Sequence, residues 1–193
     1  MSDTVDAKHY TISGRKFARV TQIVGFAFPN SFAAIPESKR EYYFQRGTEV
    51  HRLCECVENG TADGLDFDPE IEKYREGHAN FLRDTGFKAL PDGIEVRVKN
   101  DELHYAGRID WIGTMGGRTV LIDYKTTSIP KGGALQTALY LLALPAYKFE
   151  DVDRYIVAIK KGGKYAMSEK YPFSDKSDAI YWATKYHEAQ ESK

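Results

Sequence analysis

Apolar positions recur along this chain with two periods, and the period changes divide it into elements. Within 37–59, Tyr43, Val50, Leu53, Cys54 and Val57 recur at helical spacing, and Gly60 supplies a stop. Within 68–85, Ile71, Tyr74, His78 and Phe81 or Leu82 do the same, with Gly86 closing the helix. Leu135, Ala138, Leu139 and Leu142 predict a helix over 134–147, weakened by Pro145. A last helix over about 175–190, capped by Ser174 or Asp175, places Ala179, Trp182 and Tyr186 toward a sheet. Alternation predicts strands at 94–98, 103–113, 119–125, 154–159 and 164–171. The first three of these are consecutive and make a meander. Gly116-Gly117 and Gly162-Gly163 are hairpin turns, and Ser13-Gly14 joins short strands at 9–12 and 16–20. Thr21 opens a short helical turn through Gln22–Val24. Residues 25–36, broken by two prolines, read as a packed loop in which Phe26, Phe28 and Phe32 serve core or lid packing. The expected fold is one α/β domain over 1–193. Its mixed central sheet has about five strands flanked by helices, with a hairpin and helical elaboration at about 1–60.

The Gly116-Gly117 turn sets a register with chemical consequences. Met115 then faces Arg118, Ile112 faces Leu121, and Asp110 faces Asp123. Side chains alternate along a strand, so Lys125 shares the face of Asp123, and Arg108 faces Lys125. The flanking Ile109, Val120, Leu121 and Ile122 mark the hairpin as central and buried. Two like charges opposed across a hairpin repel, and buried acids persist when they are paired with cations or bound to metal. Lys125 neutralises one carboxylate and a divalent cation accounts for both. A structural Asp–Lys–Asp ion pair is the alternative. On the 37–59 helix, Gly47, His51 and Glu55 lie four apart on one face. Cys54 points to the core, and Glu95 and Arg97 share a face of their strand.

Composition narrows the function classes without choosing one. The chain has 193 residues, 42% hydrophobic and 28% charged, which are ordinary globular values. A net charge of −1 excludes a globally basic nucleic-acid binder and confines any such surface to a local groove. No apolar run reaches membrane-span length, and MSDTVDAKHY lacks the apolar core of a secretion signal. Cys54 and Cys56 fit a reducing compartment and are too few to hold an iron–sulfur cluster. There is no G-x-x-x-x-G-K-[ST] phosphate loop. A cytoplasmic protein, in a bacterial or phage-infected cell, is the expectation.

The order RGTEVH at 46–51, GRID at 107–110, IDYKT at 122–126 and QTALY at 136–140 resembles the PD-(D/E)xK nuclease superfamily. Within it, the chain is similar to the RecB-like exonucleases, the group that includes Cas-type and phage recombination exonucleases. The matched span covers about half of the chain. The resemblance implies a restriction-endonuclease-like core with the active site at one sheet edge. It implies metal binding by His51, Asp110, Asp123 and the backbone carbonyl of Tyr124, with Glu95 as a further candidate ligand. It makes Lys125 the catalytic lysine. Gln136 and Tyr140 then orient the site or touch the DNA backbone. Arg46, Arg108 and Lys131 are candidate DNA contacts, with Lys160, Lys161 and Lys164 as weaker ones. Unlike relatives with an iron–sulfur cluster, this chain has no set of four cysteines, so no cluster is expected.

The residue chemistry agrees. Carboxylates suit hard cations, so one or two Mg²⁺ or Mn²⁺ ions are expected, with the imidazole leaning toward Mn²⁺. Such a site hydrolyses phosphodiesters. The expected activity is a metal-dependent DNA exonuclease acting on single strands or duplex ends in recombination, repair or phage DNA processing. A recombination or single-strand-annealing protein is the expected partner. A sequence-tolerant endonuclease and a non-catalytic nucleic-acid-binding module on the same fold are the alternatives.

Overall fold

A computed structural model describes residues 4–5, 9–29 and 36–192 of the chain. Among them, eight strands form a single mixed sheet. The strands are β1 (Thr4–Val5), β2 (His9–Ile12), β3 (Arg15–Arg19), β4 (Lys88–Asn100), β5 (Tyr105–Met115), β6 (Arg118–Lys125), β7 (Val152–Ile159) and β8 (Tyr165–Met167). The helices are α1 (Val20–Ala27), α2 (Glu37–Glu58), α3 (Pro69–Glu72), α4 (Arg75–Thr85), α5 (Gly133–Leu142) and α6 (Asp175–Glu191).

The sheet is built outward from β5. Strand β4 pairs with one edge of it in antiparallel fashion. The other edge is shared. Strand β3 runs parallel to its start, with Ala18 opposite Tyr105, and β6 pairs with its end from Trp111 to Met115. Residues 107–110 lie between those two partners. Strand β6 then pairs in parallel with β7, as a connection through α5 requires. The sheet separates two apolar layers. Val20, Ile23, Ile112, Leu121, Leu135, Leu139 and Ala179 pack on one side. Val50, Leu53, Phe81, Trp111, Ile122, Tyr124 and Val157 pack on the other. Leu121 and Ile122 thus face opposite layers, which is why β6 reads as a continuous apolar run.

Several boundaries differ from expectation. The sheet has eight strands rather than about five, because the N-terminal hairpin joins it through β3 and β5. Strand β4 begins at Lys88, with a shift of register between Ala89 and Ile94 around Pro91. The predicted 68–85 helix is divided into α3 and α4. At the break, the Lys73 carbonyl accepts the Gly162 N–H (3.2 Å). Gly77 lies so close to the 160–164 turn that a Cβ would come 2.4 Å from the Lys160 carbonyl oxygen. Helix α1 extends to Ala27, into the predicted loop, and Phe26 lies on it; Phe32 lies outside the described residues. Helix α5 stops at Leu142 rather than near 147, since Pro145 disfavours helical geometry at the residue before it. Strand β8 is limited to Tyr165–Met167. Helix α6 packs chiefly on α5 and α1 rather than on the sheet.

Candidate active site

The β5–β6 hairpin turns at Gly116-Gly117, both with positive φ, and its register is Met115 with Arg118 and Ile112 with Leu121. Regular pairing ends at Trp111 and Ile122, one step before the two aspartates. There the Asp110 side chain takes over from the backbone ladder. Its Oδ2 accepts the Tyr124 N–H at 2.8 Å. Asp110 and Asp123 are both nearly inaccessible to water. Burial pushes the carboxyls of both up to about 6 against the opposing pull of Lys125, and the charge of Asp110 adds to the rise at Asp123. Lys125 Nζ sits against Asp123 Oδ2. Burial alone would lower the Lys125 pKa, but the two aspartates outweigh it and hold the ammonium above its ordinary value.

Helix α2 delivers His51 from the other layer. Its Nε2 lies 3.0 Å from the Tyr124 carbonyl oxygen, so the ring N–H is donated there. Burial, and then the charge of Lys125, lower the His51 pKa and keep the ring neutral. Nδ1 therefore carries a lone pair, and it faces Asp110 Oδ2 at 3.6 Å. Two acceptors opposed at that distance call for a cation between or beside them. Ligand atoms of His51, Glu95 and Asp110 all lie within 4.8 Å of one another, a set that can hold a metal ion among the described residues. Glu95 Oε2 is closed off from solvent and meets Arg108 Nε in an ion pair without hydrogen-bond alignment. Burial and Asp110 raise the Glu95 pKa. Glu95 has a φ of +56°, an uncommon backbone for a non-glycine residue, near the shift of register in β4. Carboxylates with one neutral imidazole suit Mg²⁺ or Mn²⁺, so the donor set fits a divalent cation.

Helix α5 closes the site from the opposite side. Gln136 Nε2 donates to Asp123 Oδ1 (2.7 Å) and to Tyr140 Oη (3.1 Å). The Tyr140 ring lies over Gly107, where a Cβ would come within 2.6 Å of Tyr140 Cε1. The glycine of GRID thus makes room for the tyrosine of QTALY. Asp123 has both oxygens engaged, by Gln136 and Lys125, while Asp110 and His51 turn acceptors toward each other.

The structure brings His51, Glu95, Asp110, Asp123, Tyr124, Lys125, Gln136 and Tyr140 together. It pairs Arg108 with Glu95 instead of placing it across from Lys125, because β5 and β6 have ceased pairing there. Arg46 lies on α2, five residues before His51 and therefore on a different face, and Lys131 lies in the loop before α5. Two supports were not legible in the sequence. His78 is fully buried, with Nε2 3.0 Å from Glu58 Oε1 and its ring edge-on to Tyr124. Tyr171 is close enough to act on the charges of Asp123 and Lys125. Neither sits in a motif, and only the fold brings them near.

A family model of the PD-(D/E)XK nuclease superfamily matches residues 33–191. Among solved structures, the chain is similar to a crystal structure from Eubacterium rectale described as a "putative exonuclease". The TM-score is 0.54 at 13% sequence identity, over 86% of this chain and 76% of that one. That likeness concerns the fold. No curated protein matches in sequence.

Proposed function

Given that this chain belongs to the PD-(D/E)XK nuclease superfamily, we propose that it is a metal-dependent DNA exonuclease that hydrolyses phosphodiester bonds in recombination, repair or phage DNA processing. The observation that carries the reading is the convergence of the lone-pair side of His51, the Asp110 carboxylate and the Asp123–Lys125 pair at one break in the sheet. His51, Asp110, Asp123 and the Tyr124 carbonyl are the proposed holders of the cation, with Glu95 as a further ligand. A divalent cation there supplies Lewis acidity, which lowers the pKa of an attacking water and offsets charge on the phosphate.

The chain's own residues do the rest. Lys125, held as an ammonium by the two aspartates, donates to the phosphate oxygen and neutralises charge in the transition state. That protonation state argues against Lys125 as the base in the resting protein. Gln136 fixes Asp123 by donating to Oδ1, which leaves Oδ2 for Lys125 and the cation. The Tyr140 hydroxyl, held by the same Gln136 amide, orients the wall of the site nearest Gly107. The Tyr124 N–H holds the Asp110 carboxylate in place.

The exonuclease mode is supported by the RecB-like motif order and by the description of the structural neighbour. End-labelled linear DNA and closed circular DNA are incubated with Mg²⁺, Mn²⁺ or EDTA, using wild type and Lys125→Ala. Loss of linear DNA alone, dependent on metal and on Lys125, is the expected result. Cutting of circles would replace the exonuclease reading with an endonuclease one. No cutting with either metal would leave a binding module on the same fold.

A further inference from the structure

Around β3 and the first part of β5, the sheet has one covered face and one open face. Ala18, Val98 and Tyr105 pack into the layer that holds α1 and α5. Alternation therefore sends Arg19, Lys99 and Ala106 to the opposite face, and the register sets them in one row across β3, β4 and β5. Arg97 and Arg108 are directly paired two residues along, on that same face. Elsewhere on this side, helices α2 and α4 cover the sheet over Trp111, Ile122, Tyr124 and Val157. Among the described residues, that apolar layer takes in none of 15–19 or 95–108. Phe17 is buried there, with the Lys99 ammonium 5.7 Å from its ring centroid.

The open face is cationic. Two arginines directly opposed across strands repel, and an anion between them removes the repulsion. Arg97 is exposed and has no ion-pair partner among the described residues. Arg108 is exposed and meets Glu95. Lys99 pairs with Asp101 in the turn that follows β4. Arg19 lies over the Tyr10 ring, 5.9 Å from its centroid. In a chain of net charge −1, this concentration of cations is a local feature, the kind of surface to which a polyanion is confined.

The patch runs into the candidate active site. Arg108 stands two residues before Asp110 and pairs with Glu95, and ligand atoms of Glu95, His51 and Asp110 lie within 4.8 Å of one another. At the Arg19 end, Tyr10 is close enough to act on Tyr140, whose ring lies over Gly107. Strand spacing of about 4.8 Å and a rise of about 3.3 Å per residue place the backbone positions of all four cations within about 10 by 7 Å. The face offers charge without a free aromatic ring, since Phe17 is buried and Tyr10 is covered by Arg19.

We propose that Arg97 and Arg108, with Arg19 and Lys99 beside them, bind the phosphate backbone of duplex DNA next to the end being cut. A phosphate shared by Arg97 and Arg108 relieves their repulsion and takes charge-assisted hydrogen bonds from both. A surface that offers charge and no stacking ring selects charge density. Duplex DNA carries one phosphate per about 1.7 Å of axis and a single strand one per about 3.4 Å, so the duplex is the better partner. Backbone contacts position the DNA and read no sequence. The proposal rests on the nuclease reading and adds to it the surface and the form of the DNA.

The test measures fluorescence anisotropy with a labelled blunt 20-base-pair duplex and labelled dT20, in EDTA, from about 0.05 to 0.3 M NaCl. The full chain is compared with Arg97→Gln, Arg97→Lys and Arg19→Gln, and with Arg83→Gln on α4, toward the other edge of the sheet. Wild type should bind the duplex more tightly than dT20. Losing one phosphate contact lowers the salt slope by about 0.9, so Arg97→Gln should weaken duplex binding about eightfold at 0.1 M NaCl and about threefold at 0.3 M. Arg19→Gln should flatten the slope as well. Arg97→Lys should keep most of the affinity, because charge suffices, and Arg83→Gln should change nothing. Thermal unfolding checks each fold, and Arg97→Gln should not lower the midpoint, since it removes a like-charge neighbour. Unchanged duplex affinity in Arg97→Gln, an equal loss in Arg83→Gln, or dT20 bound as tightly as the duplex overturns the surface. If wild type still degrades DNA with Mn²⁺ in that case, the nuclease reading stands without it. A protein that binds the duplex through these arginines and cuts with neither metal keeps the surface and removes the nuclease reading.

Discussion

Asp110→Asn should make the metal-free protein more stable at pH 8, although it removes a residue central to the site. The carboxyl is buried and its pKa is raised from 3.8 to about 6, so the folded state holds its proton more tightly than the unfolded chain does. Stability therefore falls as pH rises through the window from about 4 to 6, and the loss is complete above it. At 1.36 kcal/mol per unit, the ionised Asp110 costs the folded protein about 3 kcal/mol at pH 8. Asparagine has the same shape. Its Oδ1, placed where Oδ2 lies, can still accept the Tyr124 N–H, and that oxygen then faces His51 Nδ1 without a full negative charge. The pKa of about 6 already contains the attraction of Lys125, so the expected stabilisation is that same figure of about 3 kcal/mol. Urea unfolding in EDTA, followed by tryptophan fluorescence, measures it at pH 8 and again near pH 4, where the difference should vanish. His51 contributes with the opposite sign. Its lowered pKa makes stability rise with pH up to the ordinary value of 6.5, and this appears in both proteins. Millimolar Mg²⁺ or Mn²⁺ should then raise the midpoint of wild type and leave that of the variant where it is. A variant that is less stable than wild type at pH 8 in EDTA, or equally stabilised at both pH values, would refute the account of Asp110 as an ionised, strained carboxylate.

Lys125→Ala should lower cleavage by about 100-fold or more, with Mn²⁺ affinity by calorimetry retained, since an ammonium that neutralises transition-state charge is not a ligand. His51→Ala should weaken Mn²⁺ binding by at least about tenfold while unfolding in EDTA changes by less than about 1 kcal/mol; equal losses in both would make the histidine structural. Gly107→Ala should displace the Tyr140 ring, cost about 1–3 kcal/mol in urea unfolding, and lower cleavage even where folding is complete. Glu58→Gln should leave His78 with a neutral partner at Nε2 and destabilise the fold by about 1 kcal/mol, read from the same urea curves.

The chain itself determined the elements and the chemistry of the hairpin. Gly116-Gly117 needs positive φ at both positions, so the turn and the register of Met115 with Arg118 follow from local conformation alone. The alternation from Leu121 to Lys125 then puts Asp123 and Lys125 on one face, and helical spacing puts His51 beside the stripe of Val50 and Cys54. The order of the RGTEVH, GRID, IDYKT and QTALY motifs resembles that of the family without reference to packing. Tertiary structure decided the rest, because those contacts join residues that no local rule connects. Regular pairing that stops at Trp111, the Tyr124 N–H taken by Asp110, the imidazole turned by the Tyr124 carbonyl and the pairing of Arg108 with Glu95 all depend on how β4, α2 and β6 meet. So does the docking of the N-terminal hairpin on β5, which makes a five-strand expectation an eight-stranded sheet. Local sequence sets dihedral angles and faces. Burial and long-range pairing set which charges must share a low-dielectric space, and that shared space is what turns three acids, a lysine and a histidine into a site.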